Sequence, residues 1–186
     1  MTMKTWLLLV FTLLAGPAFG AAAGRIVGPD GAPVSGAKVC ESLEGSPEHC
    51  VTTNAQGVYR MENPLRATLL VRASGFISKG IDAAPLGAPV ELQRAASLLV
   101  VVVDADTRLP LASGRVMIDS PSGKRIGDFV PFNTRGVRIS TLDPGTVFVR
   151  VEADGYHPSG PVPVELVSGV ERSVTVPMKK TVQPSR

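Results

Sequence analysis

The chain of 186 residues is poor in the residue types from which most catalytic sites are built. It has two histidines, two cysteines and one tryptophan, and aromatics make up only 5% of it. A histidine-rich metal centre is excluded by that count, because His49 and His157 lie far apart in sequence and a zinc site needs about four ligands. No run in the body of the chain reaches the roughly 20 apolar residues of a membrane-crossing helix, since Leu98–Val103 stops at Asp104. Charge of one sign is also missing: 19 basic residues are scattered among 16 acids, with no basic run longer than Lys179-Lys180. Nucleic acid is therefore not expected as a partner. There is neither a phosphate-cradling glycine loop nor a Gly-x-Ser-x-Gly elbow, so no catalytic residue, metal or cofactor is assigned and the chain is not expected to be an enzyme.

What is abundant is punctuation. Nineteen glycines and sixteen prolines, without a Gly-X-Y period, point to many tight turns between short strands. The N-terminal segment is different in kind. Residues 1–23 carry one Lys4, an apolar stretch Leu7–Ala15 and small residues at the exit, the pattern of a secretory signal peptide. Nine apolar residues are too few to span about 30 Å of hydrocarbon. Cleavage is expected after Gly20 or among Ala21 to Ala23. Leu14-Ala15-Gly16 is followed by Pro17, where an acylated cysteine would have to stand, so neither a lipid anchor nor a membrane span is expected. The expected location is periplasmic or extracellular.

Export gives the cysteines their reading. Cys40 and Cys50 form an even, close pair, which in an oxidising compartment predicts a disulfide across a hairpin, with Cα atoms about 5–6 Å apart. Closing that loop stabilises by about 2.5–3 kcal/mol on the chain-entropy model.

Strand signals recur along the rest of the chain with no helical period. The first set is Arg25–Val27, Lys38–Ser42, His49–Thr53, Val58–Met61, Thr68–Ala73, Ile77–Ile81 and Val90–Leu92. The second is Leu98–Val103, Arg115–Asp119, Ile126–Phe132, Val137–Ser140, Thr146–Glu152, Val162–Val167 and Ser173–Met178. The restart is an internal repeat: Pro33–Val39 resembles Pro110–Val116, Asn54–Val58 resembles Asn133–Val137, and Leu69–Phe76 resembles Phe148–Tyr156. The expected division is a signal peptide at 1–23, sandwiches at 24–94 and 95–180, and a tail at 181–186. Gln93–Ala96 is too short for a floppy linker, so the modules should touch. Expected core positions are Ile26, Val39, Val58, Leu65, Leu69, Val71 and Leu92 in the first module. In the second they are Leu99, Val101, Val116, Ile118, Leu142, Val147, Val149, Val151 and Val176.

These motifs carry a resemblance. Asp30-Gly31-Ala32-Pro33-Val34-Ser35-Gly36-Ala37-Lys38-Val39, Thr53-Asn54-Ala55-Gln56-Gly57-Val58-Tyr59 and Ala73-Ser74-Gly75-Phe76 resemble the carboxypeptidase regulatory-like domain of the transthyretin-like (prealbumin-like) sandwich superfamily. The second copy is looser, with Asp106–Leu111 in place of the first motif and Arg138 where Tyr59 stands. The resemblance implies an all-β chain of two tandem small antiparallel Greek-key β-sandwiches of about seven strands each. Its motif residues Gly31, Pro33, Asn54, Gly57, Pro110, Asn133, Gly136 and Gly155 read as turn formers. Intradiol dioxygenases of related fold hold iron with two Tyr and two His, but need their histidines one residue apart, a pattern absent here. Collagen-adhesin repeats resemble the module and form a Lys–Asn isopeptide from a first-strand lysine. Neither Arg25–Val27 nor Leu98–Val103 has one, so no isopeptide is expected.

Asp104-x-Asp106 resembles the start of a calcium loop, yet Arg108-Leu109-Pro110 adds no oxygen ligand, and a solvated turn is expected. The functional expectation is an exported, non-catalytic structural or protein-interaction module, partnered by another exported protein or a cell-surface component. Edge strands offer β-augmentation, and of the surfaces the loops at one end of each sandwich, Asn54–Gly57 and Asn133–Gly136, are favoured. The alternative is a carbohydrate-binding module. It is disfavoured because the sole tryptophan, Trp6, leaves with the signal peptide.

Overall fold

The computed structural model describes residues 21–41, 48–83, 87–127 and 129–181. The expected signal peptide through Gly20, Ser42 at the end of its expected strand, Asp128 within the expected strand Ile126–Phe132, and the tail from Val182 lie outside the described residues. Each expected strand of the two sets has a counterpart. The first module comprises β1 (Ala22–Val27), β2 (Lys38–Glu41), β3 (His49–Thr52), β4 (Val58–Met61), β5 (Thr68–Arg72), β6 (Lys79–Asp82) and β7 (Val90–Glu91). The second comprises β8 (Ala96–Asp104), β9 (Gly114–Asp119), β10 (Val130–Phe132), β11 (Val137–Leu142), β12 (Gly145–Glu152), β13 (Val162–Leu166) and β14 (Glu171–Met178). No helix occurs among the described residues.

Pairing repeats with the sequence. The first module has sheets ordered β4-β1-β7 and β3-β2-β5-β6, and the second has β11-β8-β14 and β10-β9-β12-β13. Adding seven to each strand number of the first module reproduces the second. Each module is a four-stranded sheet over a three-stranded one, and each buries its own core. Ile26, Val39, Leu69, Val71 and Leu92 cluster in the first, and Val100, Val116, Val149, Val151 and Val176 in the second. The sandwiches are not wholly antiparallel, because the last strand of each runs parallel to the first, β7 along β1 and β14 along β8. A strand that returns beside the first after crossing between sheets arrives in that direction, and parallel pairs require such crossovers.

Four expected core positions are corrected. On β8 the inward residues are Leu98, Val100 and Val102, so Leu99 and Val101 face the other way. In a period-two element a shift of one residue exchanges the faces. On β4, Tyr59 and Met61 are buried and Val58 only half so. Tyr59 pairs with Gly24 and its ring occupies the space that a side chain at position 24 would need. Leu65 is 70% exposed, because it sits in the loop after Pro64 rather than on a strand. The first module also begins earlier than position 24. Ala22 lies in β1, buried and paired with Met61.

Candidate functional site

The disulfide is present. Cys40 and Cys50 stand directly opposite in the β2–β3 ladder, bonded through sulfur, with Cα atoms 4.1 Å apart. That separation is shorter than expected and belongs to the close class of antiparallel pairs. Glu48 lies near both sulfurs, but cysteines joined to each other offer no thiolate to a metal.

One position beyond the disulfide, Glu41 pairs across the same ladder with His49. Its carboxylate is buried and accepts from His49 Nδ1 at 2.9 Å and from the backbone N–H groups of Leu65 and Arg66. Burial pushes the Glu41 pKa up, and the imidazole and the two amides together outweigh it, leaving the group below its usual range. Glu41 therefore ties the loop after β4 to the edge strand. His157 is exposed in the second module, donating only its backbone N–H to the carbonyl of Lys179. The two histidines belong to separate modules and build no common site.

The motif residues sit in turns. Gly31, Gly57, Gly136 and Gly155 have φ of +73, +74, +82 and +78°. Asn54 Oδ1 accepts from the N–H of Gln56 and Val58, and Asn133 Oδ1 from that of Arg135. Pro33 and Pro110 form equivalent bridges, to Val27 and Val103. At two positions glycine is also a packing requirement. A Cβ on Gly57 would lie 2.4 Å from the carbonyl oxygen of Ile26, and one on Gly136 would lie 2.2 Å from that of Val100.

The turn after Asp104 is solvated as expected, with Asp106, Thr107 and Arg108 exposed, but the Asp104 side chain that opens it is not. Asp104 is 4% exposed. Its Oδ1 accepts from the N–H groups of Asp106 and Thr107, and its Oδ2 from the Tyr156 hydroxyl at 2.9 Å, with Lys180 Nζ at 3.3 Å. The Thr107 amide first, then the Tyr156 hydroxyl, hold its pKa well below the carboxylate range against the opposing effect of burial. With four donors already placed, it has no oxygen to spare for calcium. A third buried carboxylate, Asp119, is paired with Arg150 on the outer face of the β9–β12 ladder.

The remaining aromatics do not form an open platform. Tyr59 and Phe132 are buried, while Phe76, Phe148 and Tyr156 are half-buried. Phe129 is 42% exposed, but Arg115 and Arg125 lie over its ring at 4.8 and 4.4 Å. Each module has a cleft between the loop after its first strand and its aromatic turn. In the first it measures about 300 Å³ beside Gly36 and Phe76. In the second it measures about 580 Å³ beside Gly114 and Tyr156.

The most specific arrangement of polar groups is at the junction, which sequence reasoning did not identify. Ala95 donates its N–H to Gly75 of the first module and accepts at its carbonyl from the N–H of Gly169, at 2.9 and 3.0 Å. The carbonyl of Arg94 accepts from Ser168 Oγ at 2.9 Å, and the Arg94 guanidinium lies over Phe76 and pairs with Asp30. The connector is thus bonded to both sandwiches at adjacent residues.

No family model matches the chain, and no curated protein matches it. Solved structures with similar coordinates include the Bacillus anthracis TIE protein, at 17% identity and TM-score 0.45, covering 87% of this chain. The chain spans 34% of the length of that protein. GBS52, the minor pilin of Streptococcus agalactiae, is similar at 17% identity and TM-score 0.43, covering 88% of this chain and 98% of that one. The shaft pilin SpaA of Lactobacillus rhamnosus GG is similar at 13% identity and TM-score 0.45, covering 89% and 99%. At TM-scores below 0.5, these likenesses assign this chain neither a family nor a function.

Proposed function

We propose that this chain is an exported, non-catalytic structural or protein-interaction module, built of two tandem sandwiches of the carboxypeptidase regulatory-like, transthyretin-like type. The observation that carries this reading is the junction. A spacer that presents surfaces at a fixed angle needs its joint held, and here adjacent connector residues are hydrogen-bonded to both halves. The buried polar groups are used the same way: Glu41 ties down a loop, and Asp104 joins the end of β8 to Tyr156 and Lys180.

Export rests on residues 1–23 and agrees with the Cys40–Cys50 bond, because disulfides persist in oxidising compartments. No helix of the described residues is long and apolar enough to cross a membrane. The test is to purify the exported form, measure bound iron and zinc, and assay ester, peptide and glycoside substrates while recording small-angle scattering. A single compact two-sandwich envelope with no turnover is the expected result. Turnover lost in His49→Ala or His157→Ala would make the chain an enzyme and overturn the reading.

A further inference from the structure

The trailing ends of the two modules are built alike through three successive contacts. In the first module Ile77 donates its N–H to Gln93, Phe76 bridges Arg94, and Ala95 donates to Gly75. In the second, His157 donates to Lys179, Tyr156 bridges Lys180, and Thr181 donates to Gly155 at 2.9 Å. Even the acid is matched in kind, Asp30 pairing with Arg94 and Asp104 with Lys180.

The two ends differ in what lies on them. On the first, the β13–β14 turn is seated: Ser168 Oγ donates to the carbonyl of Arg94 and the Gly169 N–H to that of Ala95. Glycine is favoured there by the backbone. Gly169 has φ +72°, and a Cβ on it would come within 3.2 Å of Arg94 Cδ. On the second end, the carbonyls of Lys180 and Thr181 accept no hydrogen bond from the described residues. The Lys180 side chain is 61% exposed.

We infer that the trailing end of the second module, formed by Gly155–Tyr156 and Lys180–Thr181, is a docking surface for a further β-sandwich that presents a hairpin turn of a hydroxyl residue followed by glycine. The hydroxyl bonds the carbonyl of Lys180 and the glycine N–H that of Thr181, repeating the contact made at Arg94–Ala95. The inference goes beyond the spacer reading, because it names a surface, the two acceptor groups on it and the chemistry of the turn that fits them. The occupant is set by the two backbone acceptors and by the positive-φ turn residue that presents its N–H to them.

The test appends a second copy of residues 96–181 directly after Thr181, so that Lys180–Thr181 stands where Arg94–Ala95 does. The appended sandwich brings its own Ser-Gly turn as the probe. Backbone relaxation by NMR reads whether it tumbles with the rest. The expected result is one rotational correlation time for all three sandwiches, with the amide of the appended turn glycine protected from exchange at least tenfold over an open turn. Replacing that glycine by valine in the appended copy alone should release it.

A folded appended sandwich that tumbles independently, with an unprotected turn glycine, overturns the inference. So does association of the unextended chain through Lys180–Thr181 with a second copy that buries this end by another contact. Should the extended chain fail to fold, amide exchange in the native chain decides. Gly169 must be protected there, and if it exchanges as an open turn, the contact being extrapolated does not hold and the inference falls. Failure in the extended chain with Gly169 protected in the native one would leave the spacer reading standing.

Discussion

Replacing Gly57 by alanine should be among the most damaging small substitutions in the first module, and its cost can be worked out from the structure. Two effects add. At φ +74° an L side chain pays about 1–2 kcal/mol for left-handed backbone. The added Cβ would also lie 2.4 Å from the carbonyl oxygen of Ile26, a contact that backbone cannot keep. Relief requires β1 to draw away from the turn. That carbonyl accepts from Val34 N–H at 3.0 Å, and the Ile26 N–H donates to Gly57 at 2.8 Å. Losing one buried backbone bond costs about 1–3 kcal/mol. The expected total is about 2–5 kcal/mol, comparable with the whole stability of a module of this size. Gly31 is the control: its φ is +73°, but nothing lies within 4 Å of a Cβ there, so only the first effect applies. The assay is urea unfolding followed by amide resonances assigned to each module. With a slope of about 1 kcal/mol per molar, the Gly57→Ala midpoint should fall by about 2–5 M and that of Gly31→Ala by about 1–2 M, the Gly57 variant falling further. Equal shifts in the two variants would refute the reasoning.

Reducing Cys40–Cys50 should lower the stability of the first module by about 2.5–3 kcal/mol and leave the second unchanged, as read by the same resonances. Asp104→Asn should destabilise the second module at neutral pH. The native carboxyl pKa is depressed, so its contribution is full above the unfolded value near about 3.9 and is lost as pH falls toward the folded one. The gap between native chain and variant should therefore close below about pH 4, and a gap independent of pH would contradict the role given to the carboxylate. Intact mass of the exported protein should place its N-terminus at Ala21. Cleavage after Ala23 would remove Ala22, which is buried in β1 against Met61.

The parts of this fold that could be read from the sequence are those written in local chemistry. Gly-Pro punctuation separated the strands, and the recurrence of Asn54–Val58 at Asn133–Val137 announced the second copy. The face of β8 could not be read, because Leu98–Val103 is apolar at every position and carries no alternation. Its orientation comes from neighbours, including the bridge from Val103 to Pro110. The T-N-x-x-G motif misled at β4 for a related reason. Tyr59 turns inward over Gly24, whereas Arg138 pairs with Leu99 and stays exposed while Val137 and Ile139 pack on the core. The Asp104 network joins residues up to 76 positions apart and leaves only an Asp-x-Asp pair in sequence. The junction is made largely by backbone carbonyls and amides, which every residue has, so no residue type could have signalled it.

The central claim is that the two sandwiches form a single rigid spacer through the Arg94–Ala95 connector. Residual dipolar couplings of residues 21–186 test it most directly. One alignment tensor should fit the amides of both modules, with Ser168→Ala weakening the agreement. Two tensors of different magnitude in the native chain would mean that the modules move independently, and the account would fail.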